Sequence, residues 1–183
     1  LVRDERRPLI HYLLVNAKKQ TIPFVYKGDN LKDKLSLDEL NAWIGLLREG
    51  AVVASQKPLL LEIQKHLFEI GAILANPTKE GEKPKAIPTK NTDDLEFAID
   101  QMELSLDPLT NFILPGGSTY VSYCHLARTV SRRAERLLVS LHMEQPIDIT
   151  VLEYINRLSD YFFILSRYAA KNGGVEEVKW MPS

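Results

Sequence analysis

At 183 residues, with 45% hydrophobic and 26% charged residues, the chain is long enough to fold on its own as one domain, and its composition excludes both a disordered chain and a membrane bundle. Its 23 basic and 24 acidic residues give a net charge of -1, so no global field recruits nucleic acid or an anionic membrane, and any anion site must be local. No apolar run approaches the roughly 18 residues that a membrane span needs.

In chain order, Pro8 opens a short stretch read as helix over Leu9 to Lys18, and Pro23 interrupts any continuation of it. Ser36-Leu37-Asp38-Glu39 has the form of a capping box, which predicts a helix from Leu37 to about Ala51 with Ser36 as N-cap. Pro58 suits a first helical turn, and Leu60, Ile63, Leu67, Ile70 and Leu74 repeat at helical spacing before Pro77. Thr78 to Asn91 is rich in lysine, proline and glycine, the composition of an exposed loop. Asn91, Thr92 and Asp93 are candidate caps for a third helix that Pro108 ends, with Leu95, Ile99, Met102 and Leu106 facing inward. After the turn Leu114-Pro115-Gly116-Gly117, Ser118 caps a long helix to about Glu144, where Pro146 stops it. Thr150, with Glu153 as capping-box partner, starts a last helix that ends before Asn172-Gly173-Gly174. No segment alternates with period two, so the fold class is all-α: a five-helix up-down bundle over residues 31 to 183, preceded by an N-terminal segment of residues 1 to 30.

Arg128, Arg132 and Arg136 lie four apart on the fourth helix and form a ridge, flanked by Arg133 and Glu135. A plain solvated face is one reading. The other is an anion site, because guanidinium forks bind phosphate oxygens in pairs and this row has one acid nearby. On the last helix Asn156, Arg157, Ser159 and Asp160 offer polar groups that serve either inter-helix hydrogen bonds or a ligand. Phe112 precedes a turn with paired glycines, which can hold a side chain in a cleft, although a core aromatic is the commoner fate of a phenylalanine in a bundle. Asp38, Glu39 and Asn41 stand in the first turns of the first confident helix, where acids also stabilise the helix dipole. His11, His66, His125 and His142 have no metal-ligand spacing, so no metal site made of side chains is assigned. Cys124 is alone, which argues against disulfides and for a reducing compartment, and its neighbour His125 points about 100° away on a helix. No Walker-type phosphate loop and no dinucleotide fingerprint occurs.

Five elements in order, Ser36 to Asn41, Phe112 to Gly117, Ala127 to Arg136, Ile155 to Phe163 and Trp180-Met181-Pro182, together resemble the trimeric ATP:cob(I)alamin adenosyltransferases, from about Lys27 onward. The resemblance implies transfer of the 5'-deoxyadenosyl group of ATP to the cobalt of reduced cobalamin, with release of triphosphate and no protein nucleophile. It implies ATP contacts from Lys27, Arg132, Arg133, Glu135, Arg136 and Asn156, with Mg2+ held by the phosphates. It places Phe112 beneath the corrin, where it displaces the lower axial base, so Phe112 and Arg132 carry the catalytic roles. It also pairs Asp38 with Arg128 of a neighbouring subunit in a homotrimer, and admits a flavoprotein reductase and an adenosylcobalamin-dependent enzyme as partners. The family's glycine-rich opening segment has no counterpart here: Leu1 to Tyr26 contains no glycine, and Lys27-Gly28-Asp29 stands where the family has Lys-Asp-Asp. That departure keeps an alternative open, a non-catalytic corrinoid- or nucleotide-binding relative acting as carrier or regulator. The expected location is the cytoplasm, or an organellar matrix if a targeting segment preceded Leu1.

Overall fold

The computed structural model of the chain describes residues 31–50, 54–76, 78 and 81–181. The expected helix over Leu9 to Lys18, the segment Lys27-Gly28-Asp29 and Pro182 lie outside them. Among the described residues five helices succeed one another: α1 (Leu31–Glu49), α2 (Lys57–Ala75), α3 (Thr89–Glu103), α4 (Thr119–Glu144) and α5 (Ile149–Asn172), with a 3-10 turn at Ala54–Gln56 leading into α2. The architecture is the expected up-down helical bundle, and among the described residues the sole β feature is one isolated antiparallel bridge between Ile113 and Lys179.

The helices form where an apolar stripe at helical spacing can be buried. In α2 that stripe is Leu60, Ile63, Leu67, Ile70 and Leu74, all buried as the spacing predicts, with Pro58 in the first turn. Packing runs α2 on α1, α1 on α4, α4 on α5 and α5 on α3. With α4 and α3 both against it, α5 buries residues around much of its circumference, among them Val151, Tyr154, Leu158, Tyr161, Phe162 and Leu165. One continuous cluster of buried side chains draws on all five helices. Truncating a fully buried member such as Leu158 to alanine costs about 2 to 5 kcal/mol.

Three helix starts differ in detail from the sequence reading. Ser36 is not an N-cap: α1 already runs from Leu31, because Leu31, Lys32, Lys34 and Leu35 are good helix formers that extend the element upstream of the capping-box pattern. The third helix begins at Thr89, behind Pro88, rather than at Asn91, Thr92 or Asp93. It ends at Glu103, so Leu106 packs against the core from beyond the helix. The cap of α5 is Asp148 in place of Thr150: its carboxylate accepts from the Thr150 backbone N at 3.0 Å and from Thr150 Oγ1 at 2.7 Å. Thr150 Oγ1 in turn accepts from the backbone N of Ile87 at 3.1 Å, and the Ile87 side chain is buried. The lysine-rich loop is therefore tied to the bundle at Ile87 rather than exposed throughout.

Candidate functional site

The start of α4 is fixed by its own sequence. Gly116 and Gly117 both have positive φ, at 150° and 102°, which side-chain-bearing residues rarely adopt. Ser118 then caps the helix as expected, its Oγ accepting from Val121 N at 3.2 Å. Along α4, Ala127, Val130, Ser131, Ala134 and Leu138 face the interior. The arginine ridge is left along the flank of that buried stripe.

Glu135 is the pivot of this face. It is 2% exposed, yet its two oxygens are both engaged: Oε2 accepts from Arg132 Nη1 at 2.8 Å and Oε1 from Asn156 Nδ2 at 2.6 Å. Burying a carboxylate is costly unless it is paired and hydrogen-bonded, and here the pairing fixes a guanidinium from α4 and an amide from α5 beside each other. Arg132 remains 36% exposed at the side chain and commits its Nη1 to Glu135. Arg133 pairs with Glu39 of α1, and Arg136 is exposed. Arg128 is half-buried, and its Nε has no hydrogen-bond partner among the described residues. Burial, and then the nearby charge of Arg132, lower its pKa from the usual arginine value. On α5, Arg157 turns away to ion-pair with Glu96 of α3 at 3.1 Å and with Asp160 at 2.8 Å. Those contacts make Arg157 and Asp160 a structural brace between α3 and α5, whereas Asn156 joins the ridge.

Phe112 is not a core residue: it is 77% exposed, and its ring meets Trp180 edge-on, with centroids 6.3 Å apart at 66°. Phe112 precedes α4, and Ile113 and Leu114 beside it line a small cleft with Val121 and His125 of that helix; Arg132 lies further along the same helix. Asp38 is exposed on α1, next to the Glu39 that meets Arg133. Lys27 lies outside the described residues. Among the described residues no group of three or more His, Cys, Asp or Glu side chains is placed to hold a metal ion, and no helix is long and apolar enough to cross a membrane. Sequence reasoning missed the pairing of the tail with the Phe112 loop: Leu114 N donates to Val178 O and Trp180 N to Phe112 O, across a separation that leaves no local signal.

The family model for cobalamin adenosyltransferase matches residues 35–169. The chain belongs to this family. It is 41% identical over 149 residues to the corrinoid adenosyltransferase of Bacillus subtilis (strain 168), covering 79% of this chain and 76% of that one. To the cobalamin adenosyltransferase of Cupriavidus metallidurans it is 39% identical over 145 residues, again 79% and 76% of the two chains. The fold matches that of a variant PduO-type ATP:corrinoid adenosyltransferase from Lactobacillus reuteri complexed with cobalamin and ATP, with a TM-score of 0.79 and 36% identity over 86% of this chain and 90% of that one. The family match spans both α4 with its ridge and Asn156 of α5, and the Glu135 pivot that joins them therefore belongs to an adenosyltransferase framework.

Proposed function

We infer that this chain is an ATP:corrinoid adenosyltransferase: it moves the 5'-deoxyadenosyl group of ATP to cob(I)alamin and releases triphosphate. The observation that carries the site assignment is the buried Glu135, which holds Arg132 and Asn156 side by side on a ridge with Arg128, Arg133 and Arg136 around them. The cobalt electron pair attacks C5', the bond from C5' to the triphosphate oxygen breaks, and the negative charge leaves with the triphosphate. No side chain needs to act as nucleophile or base. The protein's work is positioning and charge stabilisation, both strong levers for such a displacement. Arg132, Arg133 and Arg136 supply forked donors to the phosphates, Asn156 adds an amide, Glu135 holds Arg132 and Asn156 toward the nucleotide, and Lys27 completes the set. Mg2+ bound with the nucleotide would neutralise part of the charge that develops on the departing triphosphate.

Phe112 takes the lower face of the corrin. An exposed apolar ring has no lone pair to offer cobalt and excludes water, so it favours the four-coordinate Co(II) form that a one-electron donor such as a flavoprotein reductase can reduce. The product suits an adenosylcobalamin-dependent enzyme of the cytoplasm. The chain assembles as a homotrimer in which Asp38 meets Arg128 of a neighbouring subunit. One observation supports that assembly: Arg128 is half-buried and its Nε has no hydrogen-bond partner among the described residues.

An anaerobic assay with cob(I)alamin and Mg-ATP, following loss of the cob(I)alamin absorbance and appearance of triphosphate, tests the activity. Tight corrinoid or ATP binding with no turnover would instead identify a non-catalytic carrier or regulator, the reading that the glycine-free N-terminal sequence favours.

A further inference from the structure

The geometry points to the C-terminal tail as a clamp that positions Phe112, with Trp180 and the Arg167–Glu177 ion pair as its positioning residues. This rests on the lower-face role proposed for Phe112 and adds the residues that hold it there. An exposed aromatic on a loop is ordinarily free to change rotamer. Here both sides of the loop are tied. Leu114 N donates to Val178 O at 2.8 Å and Trp180 N donates to Phe112 O at 2.7 Å, flanking the bridge between Ile113 and Lys179. The Trp180 ring then meets the Phe112 ring edge-on.

The tail is itself pinned from below. Arg167, 7% exposed on α5, donates from Nε to Glu177 Oε1 at 2.9 Å and from Nη2 to the backbone O of Asp107 at 2.9 Å. One guanidinium thus joins α5, the tail and the segment after α3. A buried arginine held this way needs its carboxylate, since loss of that partner leaves an uncompensated charge. At the other end of the clamp the approach is close: a Cβ on Gly117 would lie 2.6 Å from Val175 Cγ1. The turn before α4 and the tail after α5 are therefore built against each other, and the outcome of that fit is the orientation of one exposed ring.

If the ring's placement sets the axial coordination of cobalt, loosening the clamp must reproduce the Phe112 defect without touching ATP. Three variants in the full-length protein test this: Trp180→Ala, Trp180→Phe and Glu177→Gln, with Phe112→Ala as reference. Trp180 is 47% exposed, so its removal leaves folding intact even if Glu177→Gln weakens it. The expected result is that Trp180→Ala and Glu177→Gln keep wild-type ATP affinity, lose the four-coordinate cob(II)alamin absorbance, and turn over from cob(II)alamin roughly 10- to 100-fold more slowly, the scale of a misplaced reacting group. Trp180→Phe regains most of the signal, and pre-reduced cob(I)alamin restores the rate in all three. In a Trp43→Phe background, where Trp180 is the remaining tryptophan, Glu177→Gln should also shift the emission to the red as the tail undocks. Wild-type absorbance in both Trp180→Ala and Glu177→Gln, with the signal lost in Phe112→Ala, would overturn the clamp and leave the role of Phe112 standing. Wild-type absorbance in Phe112→Ala as well would overturn both.

Discussion

Replacing Arg132 by lysine separates a phosphate fork from a solvated charge. Arginine offers five N–H donors in a rigid plane, and Glu135 takes one of them through Nη1 at 2.8 Å. The side chain that carries the others is 36% exposed. Lysine keeps the charge and can still reach Glu135. Because the arginine is more than a third open to water, its rearrangement should change stability by about 1 kcal/mol or less. The effect on ATP is larger, since a point charge replaces a bidentate contact. One lost charge-assisted hydrogen bond is worth about 1.5 to 3 kcal/mol, which corresponds to roughly a 10- to 100-fold rise in the Kd for ATP. Calorimetric titration with Mg-ATP, paired with urea denaturation of the same sample, measures both numbers. Unchanged ATP affinity with unchanged stability would show that the ridge is only a solvated face, and the reasoning from Glu135 outward would fail.

Phe112→Ala should change the urea midpoint little, within about 0.5 kcal/mol as for other exposed positions, because the ring is 77% exposed; a loss of about 3 kcal/mol or more would return Phe112 to the core. Sedimentation should give a trimer that Asp38→Ala and Arg128→Ala each weaken, and a fully active monomer would exclude the shared site. Stability should fall as pH drops below the ordinary histidine value of 6.5, because burial above all lowers the pKa values of His66 and His125. The unfolded chain then takes up protons that the folded one refuses, so stability is complete above that value and is lost below it. Urea midpoints measured between about pH 5 and 8, for wild type and for a His66→Asn, His125→Asn double variant, check this: an equal slope in both would assign the acid lability elsewhere. Cys124, whose thiol burial pushes well up, should resist alkylation in the folded protein and react only on unfolding; fast native labelling would contradict its burial.

Short-range physics was readable directly in the chain. Ser118 caps α4 because its Oγ needs only the amide three residues on, and Pro58 with the Leu60 to Leu74 stripe defines α2 because helix period and proline chemistry are local. The arginine ridge came from four-residue spacing alone. Where local signals competed, tertiary context chose between them. Ser36 has the form of a cap yet lies inside α1, and Asp148 takes the end of α5 from Thr150, whose hydroxyl is committed to Ile87 in a loop 63 positions away. Only the folded chain could decide which polar groups meet. Arg133 finds Glu39 across 94 residues and Glu135 finds Asn156 across 21, and the tail crosses to Phe112 to form a single bridge too short to leave an alternating pattern. Hydrogen bonds of this kind are set by which helices pack together, and packing is a property of the whole apolar surface rather than of any window of sequence.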